Sequence, residues 1–197
     1  MRIIKKFNTG HEIVQSEIFN KYNIWDTWII SDTHFNHYPK LWDWPARNDG
    51  WEQRIINQWN IRIKPEDTVL HLGDFAFGDR DKVFLSRANL NGYIFLIKGN
   101  HDKHGGAWYD DINIKLIKKS FFVNLSDGVV VFSHRPLKDS KGYNLSECLN
   151  IHGHIHEKGW YIKENYENIS VEQTDFAPVK FRDLISSWRL HSWRNEV

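Results

Sequence analysis

The stretch Tyr93-Ile94-Phe95-Leu96-Ile97-Lys98-Gly99-Asn100-His101-Asp102 decides how the rest of the chain is read. Five β-prone, apolar residues are followed by Lys98 and then a glycine, as where a buried strand leaves its sheet. A polar segment carrying an amide, an imidazole and a carboxylate follows. The same arrangement recurs along the chain. Thr27–Ile30 runs into Ser31-Asp32-Thr33-His34, and Thr68–Leu72 into Gly73-Asp74. Gly128–Phe132 runs into Ser133-His134, and Leu149–Ile151 into His152-Gly153-His154-Ile155-His156. Asp32-x-His34 and Gly73-Asp74 alone read as ordinary turns, Gly153-His154-x-His156 is more telling, and Gly99-Asn100-His101-Asp102 is the most specific. Together they place Asp, Asn or His at the carboxyl ends of five strands, the edge where the ligand crevice of an open α/β sheet forms. If the strands lie side by side, the loops converge on one site.

Helical patterns separate some of these strands. Asp49 to Ile61 opens on Asp49 as N-cap with Glu52 three residues on, a capping box, and Trp51, Ile55 and Trp59 then share a face. Asp81 to Leu90 puts Val83, Phe84 and Ala88 on a stripe and stops at Asn91-Gly92. Phe181, Leu184, Ile185 and Trp188 fall on one face of a last helix. Ile169–Val171 is β-prone, and Val14 and Ile18 suit a helix or a β-hairpin equally. No Pro-, Gly- or Ser-rich stretch divides the chain, so residues 1–197 read as a single α/β domain with a motif-bearing core over 27–178.

Composition narrows the chemistry. Eleven histidines stand beside one Cys and one Met, which raises a metal or acid–base site and discounts thiolate chemistry. The 26 basic and 25 acidic residues leave a formal charge of +1, which excludes a long nucleic-acid track or an anionic membrane as the expected partner. No apolar run approaches the ~20 residues of a bilayer span. The basic start Met1-Arg2-Ile3-Ile4-Lys5-Lys6 is not followed by a signal-peptide core, so a cytoplasmic protein is expected.

Asp32-x-His34, Gly73-Asp74, Gly99-Asn100-His101-Asp102, Ser133-His134 and Gly153-His154-x-His156 resemble the signature blocks of the calcineurin-like metallophosphoesterases, in its small bacterial and phage-type form. The resemblance implies a four-layer α/β/β/α sandwich with two mixed β-sheets face to face. It also implies two divalent ions, Mn²⁺ favoured and Fe, Ni or Zn as alternatives. One ion would take Asp32, His34, Asp74 and His156. The other would share Asp74 as a bridge and take Asn100, His134 and His154. His101 matches the residue that protonates the leaving group, and Asp102 the carboxylate that orients it.

The residue types suit that chemistry. Two ions about 3.5–4 Å apart can clamp the attacking and leaving oxygens of an in-line displacement and acidify a bridging water. With two carboxylates, one hydroxide and otherwise neutral ligands, the centre keeps a net positive charge that attracts a phosphate ester. An amide at Asn100 preserves that charge where a carboxylate would cancel it. Nitrogen and oxygen donors without sulfur exclude a Cys-type structural zinc.

Substrate contacts are less sharply marked. His37 follows His34 by three residues and reads as either a substrate contact or a surface residue. Arg135 beside His134 could hold a phosphate oxygen, or be solvated. Trp42 and Trp44, in the aromatic–basic stretch Tyr38 to Arg47, suit base stacking or plain packing. His152 would point to the opposite strand face and be structural. The expected activity is hydrolysis of a phosphodiester, nucleotide-like or another small ester. A bridging hydroxide would attack in line, with His101 as the acid. A phosphomonoesterase, a nuclease, or a non-catalytic interaction scaffold of the same fold are the alternatives.

Overall fold

The computed structural model describes residues 14–15, 23–37, 45–117, 120–125, 128–137, 148–158 and 165–192. In chain order the elements are β1 (Val14–Gln15), a 3₁₀ turn (Ile24–Asp26), β2 (Trp28–Ile30), α1 (Trp51–Arg62), β3 (Thr68–His71), α2 (Arg80–Ala88), β4 (Tyr93–Ile97), α3 (Gly106–Asp110), β5 (Ile114–Ile117), β6 (Phe121–Leu125), β7 (Gly128–Ser133), β8 (Cys148–His152), β9 (Tyr166–Asn168), β10 (Val179–Lys180) and α4 (Phe181–Ser192).

Two five-stranded mixed sheets pack face to face, ordered β10-β2-β3-β4-β5 and β1-β6-β7-β8-β9. In the first, β2 to β5 are parallel and β10 is antiparallel to β2. In the second, the β6–β7 pair is antiparallel and the others are parallel. Strand alternation sorts the side chains by face. Ile29, Leu70, Phe95 and Ile97 of the first sheet meet Phe121, Val130, Phe132, Leu149 and Ile151 of the second. Fully burying each such side chain contributes about 1.5–3 kcal/mol. The opposite face of the first sheet, with Val69, Ile94, Leu96 and Ile114, is covered by Trp51, Ile55 and Trp59 of α1, Val83 of α2 and Tyr109 of α3. Among the described residues no helix is long and apolar enough to cross a membrane.

Several expectations are corrected. The helix expected from Asp49 is capped by Gly50, in a left-handed conformation (φ 83°), so Asp49 stands one residue outside it and the capping box does not form. Glu52 instead accepts the Asn36 N–H at 2.5 Å, tying the start of α1 to the loop that carries His34. In α2, Asp79 caps by accepting from the Lys82 N–H at 3.0 Å. The buried stripe runs through Val83 and Ser86, while Phe84 and Ala88 face outward. Strands β5 and β6 were not foreseen, and β9 lies upstream of Ile169–Val171. That segment joins the sheets through a bridge between Ser31 and Ser170, with Ile169 and Val171 buried. The early segment is a strand at Val14–Gln15, and its parallel pairing with Phe121–Phe122 excludes a local hairpin there. Ile18 lies outside the described residues. Helix α4 sends Phe181, Leu184 and Ile185 into the cluster between the sheets.

Candidate metal centre

Because β2, β3 and β4 are parallel neighbours, the loops after them emerge side by side. The loops after β7 and β8 emerge opposite, from the facing sheet. Backbone bonds tie the loops within each set: Asp32 N–H donates to Gly73 O and His34 N–H to Asp74 O in the first, and Gly153 N–H to His134 O in the second, each at 3.0 Å. The sets meet where the His154 N–H donates to Asp32 Oδ2 and His134 Nδ1 faces the Leu72 carbonyl, both at 2.9 Å. Two groups of side chains result. Asp32, His34 and His156 bring ligand atoms within 4.8 Å of one another, as do Asp74, His134 and His154. Each group draws from both sheets. Asp74 Oδ2 stands between the groups, 3.7 Å from His34 Nε2 and 3.3 Å from His134 Nε2. Asn100 Oδ1 joins the second group, 2.9 Å from His134 Nε2.

The donor set fits cations. His134 Nδ1 faces the Leu72 carbonyl at 2.9 Å and must carry the proton to donate there. In the neutral ring its Nε2 lone pair then points at oxygens of Asn100 and Asp74, an arrangement that only a positive charge between them stabilises. Asp32 Oδ1, fully buried, accepts no hydrogen bond and faces His34 Nε2 and His156 Nε2 at 3.8 Å each. Donor atoms on one ion, at bonds of about 2.0–2.2 Å, stand roughly 3–4 Å apart, and the Asp32–His34, Asp32–His156 and Asp74–His134 separations of 3.8, 3.8 and 3.3 Å lie in that range.

The titration pattern follows from the same geometry. Burial would raise the Asp32 carboxyl, but the nearby imidazole of His34 and the charges of His134 and His156 hold it well below the usual range. Burial opposes protonation of His134, yet its hydrogen bond to Asp74 and the charges of Asp32 and Asp74 raise its pKa. A bound cation would displace that proton. His154, desolvated and beside His134 and Arg135, is lowered to about 4, so it is a neutral nitrogen donor at pH 7.

His101 lies at the mouth, its side chain 41% exposed, with Nε2 4.0 Å from Asp74 Oδ2. Its backbone N–H donates to Asp74 Oδ1 at 2.7 Å. Asp102 does not orient it. The buried Asp102 carboxylate accepts the N–H groups of Asp74 (2.8 Å), Phe75 (3.2 Å) and Gly99 (2.8 Å) and the Tyr109 hydroxyl (3.3 Å). It therefore clamps the β3 and β4 loops together, because three otherwise unpaired backbone donors converge on it and leave the imidazole outside. Burial raises its pKa.

Of the substrate candidates, His37 is half-buried and stacks on Phe77 with centroids 3.9 Å apart. Phe77 also lies 5.0 Å from the His101 ring, forming one wall of the site that the motif blocks did not reveal. Arg135 is exposed. Trp42 and Trp44 lie outside the described residues. His152 is buried on the outer strand face, with Nδ1 2.9 Å from the Gly153 carbonyl.

Sequence reading also missed three supports. Arg47 and Glu172 form a buried pair at 2.6 Å behind the first group. His71 takes the Gly73 N–H on Nδ1 at 3.2 Å, so its Nε2–H donates to Thr33 Oγ1 at 2.9 Å, and that hydroxyl donates to Phe75 O at 2.7 Å. Buried without a countercharge in contact, His71 is pushed down to about 3. The unfolded chain takes up its proton near pH 6.5, so the stability held above that pH is lost as pH falls from 6.5 toward 3. The loss is about 1.4 kcal/mol per unit. In thermal melts of EDTA-treated protein, His71→Asn should lower Tm at pH 7 but flatten the fall in Tm between pH 6.5 and 4.5. Equal slopes in both proteins would remove His71 from that account.

Five of the seven candidate ligands have left-handed backbone: Asp32 (φ 59°), His34 (φ 51°), Asp74 (φ 57°), His154 (φ 72°) and His156 (φ 51°). Such conformations cost about 1–3 kcal/mol each and persist where the surroundings over-determine them. Two glycines allow the close packing. A Cβ on Gly99 would strike Asp74 Oδ1 and N, and one on Gly153 would strike Asp32 Oδ2 and Ser31 Oγ.

A family model described as calcineurin-like phosphoesterase matches residues 26–192. An uncharacterized protein of Methanocaldococcus jannaschii is 31% identical over 171 residues, covering 80% of this chain and 88% of its own. A solved protein of unknown function from Aquifex aeolicus is similar over 81% of this chain and 97% of its own, with a TM-score of 0.66 and 28% identity.

Proposed function

The chain belongs to the calcineurin-like phosphoesterase family, and from that premise we propose that it is a two-metal phosphoesterase acting on phosphodiesters, nucleotide-like or other small esters. The observation that carries this reading is Asp74 Oδ2, which belongs to the second donor group at 3.3 Å from His134 and also stands 3.7 Å from His34 of the first. Asp32, His34, His156 and Asp74 would hold one divalent ion, and Asp74, Asn100, His134 and His154 the other. Mn²⁺ is the proposed metal, with Fe, Ni and Zn compatible with the same nitrogen and oxygen donors. When bound, such ions supply Lewis acidity at phosphoryl oxygens and lower the pKa of water.

The chain's own groups define the rest. His154, neutral at pH 7, offers a lone pair without first losing a proton. His101, exposed at the mouth and anchored through its backbone to Asp74, is placed to give a proton to the departing alkoxide oxygen. Phe77 and His37 wall the same side and restrict water there. A diester suits the local charge better than a dianionic monoester. Buried Arg47 is engaged with Glu172 and two carbonyls, and Lys103 donates to the Asn100 carbonyl at 2.5 Å. Arg135, whose charge is felt at His154, is left at the rim.

The test is a parallel assay of nitrophenyl diesters, monoesters and cyclic nucleotides with Mn²⁺, Ni²⁺, Zn²⁺ and Mg²⁺, on wild type and His101→Ala. Diesters should be hydrolysed fastest. The variant should lose about 10²–10⁴-fold on poor leaving groups and far less on nitrophenolate, which departs without a proton. Equal losses on both would take the acid role from His101. No turnover with any metal would favour the scaffold alternative.

A further inference from the structure

Behind the first donor group lies a charged pair that no motif block contains. The Glu172 side chain is 1% exposed and that of Arg47 0%. One carboxylate oxygen, Glu172 Oε1, serves both Arg47 Nε at 2.6 Å and His156 Nδ1 at 3.1 Å. The other, Oε2, is buried and accepts no hydrogen bond. Arg47 uses its remaining donors on the same group: NH1 donates to Thr33 O at 3.0 Å and NH2 to Asp32 O at 2.5 Å. Its guanidinium lies 4.7 Å over the Trp51 ring, which fixes it against α1.

We propose that Glu172, held and neutralised by Arg47, is a positioning residue that sets the His156 tautomer and builds the Asp32–His34–His156 ion site. This rests on the two-metal reading above. An acceptor at Nδ1 keeps the proton there, so the Nε2 lone pair is turned toward Asp32 Oδ1, 3.8 Å away. A carboxylate also makes the ring a stronger donor than an amide or carbonyl partner would. Arg47 does a second job. By binding the carbonyls of Asp32 and Thr33 it holds the left-handed backbone that aims Asp32 and His34 at the same point. The pair therefore spans the gap between the β2 loop and the β8 loop, one from each sheet. Its influence is one-sided, since neither residue has a hydrogen bond to Asp74, Asn100, His134 or His154 among the described residues.

That asymmetry gives the test. Glu172→Gln preserves volume and removes the charge, and Glu172→Asp, which keeps the charge but shortens the reach, serves if the first variant folds poorly. Asp175→Asn, on an exposed ion pair with Arg54, is the control. Calorimetric titration with Mn²⁺ should show two ions on wild type and control. In Glu172→Gln one of the two should weaken about 10- to 100-fold while the other holds. In ¹⁵N-histidine spectra of metal-free protein, His156 should be the Nδ1–H form in wild type and shift toward Nε2–H in the variant. Two unchanged ion affinities with an unchanged tautomer would overturn the proposal. So would equal weakening of both sites with a lowered Tm, the mark of a merely structural pair. A wild type that takes up fewer than two ions would defeat the two-metal reading, whereas an Nε2–H His156 in wild type would defeat the positioning role alone.

Discussion

Asp74→Asn should cut metal-dependent hydrolysis by about three orders of magnitude while leaving the fold intact, because several kcal/mol of Lewis-acid stabilisation rests on one carboxylate. The substitution is nearly isosteric. Asn also tolerates the left-handed backbone found at this position (φ 57°), which Ala would strain. What changes is charge and donor strength at the oxygen between the two groups, 3.7 Å from His34 and 3.3 Å from His134. An amide offers one oxygen where the carboxylate offers two, and one of those is already bound by the His101 N–H. Both ions should therefore weaken together, unlike the one-sided effect expected at Glu172. The checks are steady-state rates on a nitrophenyl diester, Mn²⁺ titration, and a thermal melt to show that Tm is kept. Activity within tenfold of wild type would place the chemistry elsewhere.

Gly99→Ala and Gly153→Ala should each come close to matching that loss by a different route. Each new methyl group would overlap a carboxylate, that of Asp74 for Gly99 and that of Asp32 for Gly153. Neither carboxylate can retreat without giving up bonds. Asp74 holds the His101 N–H, and Asp32 Oδ2 holds the His154 N–H at 2.9 Å and the Ser170 hydroxyl at 3.1 Å. Overpacking of this kind costs about 1–3 kcal/mol of stability, a Tm drop of several degrees at this chain length. The larger effect should be on ion affinity, since the displaced atoms are the proposed donors. Gly105→Ala and Gly106→Ala, where a Cβ meets nothing within 4 Å, are the matched controls. If Gly99→Ala titrates and melts like Gly105→Ala, the close-packing account is wrong.

The strands that carry the motifs were legible because they are buried apolar runs cut off by glycine or polar residues, a strictly local signal. Tyr93–Ile97 is observed as read, and the other motif-bearing strands differ by a residue at one end or both. The convergence of the loops was legible too, since parallel strands present the same end. What one dimension hides is the partner. Glu172 meets Arg47 across 125 positions, and nothing near either residue marks the encounter. His71 sits in an apolar strand where a histidine looks incidental, and its use emerges only when the Gly73 and Thr33 groups close around it. Asp102 was placed at the site but given the wrong neighbour. The family resemblance paired it with His101, whereas three backbone N–H groups from two loops compete for the same carboxylate and win. Likewise Val83, Phe84 and Ala88 fit a stripe by periodicity alone. The actual docking angle of α2 buries Val83 and Ser86.

Each donor group takes residues from both sheets, and that has a thermodynamic consequence for the molecule as a whole. Asp32, His34 and Asp74 hang from one sheet, and His134, His154 and His156 from the other. Sliding or parting the sheets would dismantle both groups at once, so a ligand bound there acts as a rivet through the sandwich. By linkage, free cation at a hundred times its dissociation constant adds about 2.7 kcal/mol to the folded state for each independent site. The two halves of the chain, folded separately, would present only fragments of either group. Cation occupancy then becomes a report on whether the two sheets have docked, and the same atoms proposed for hydrolysis serve as the clasp of the tertiary structure.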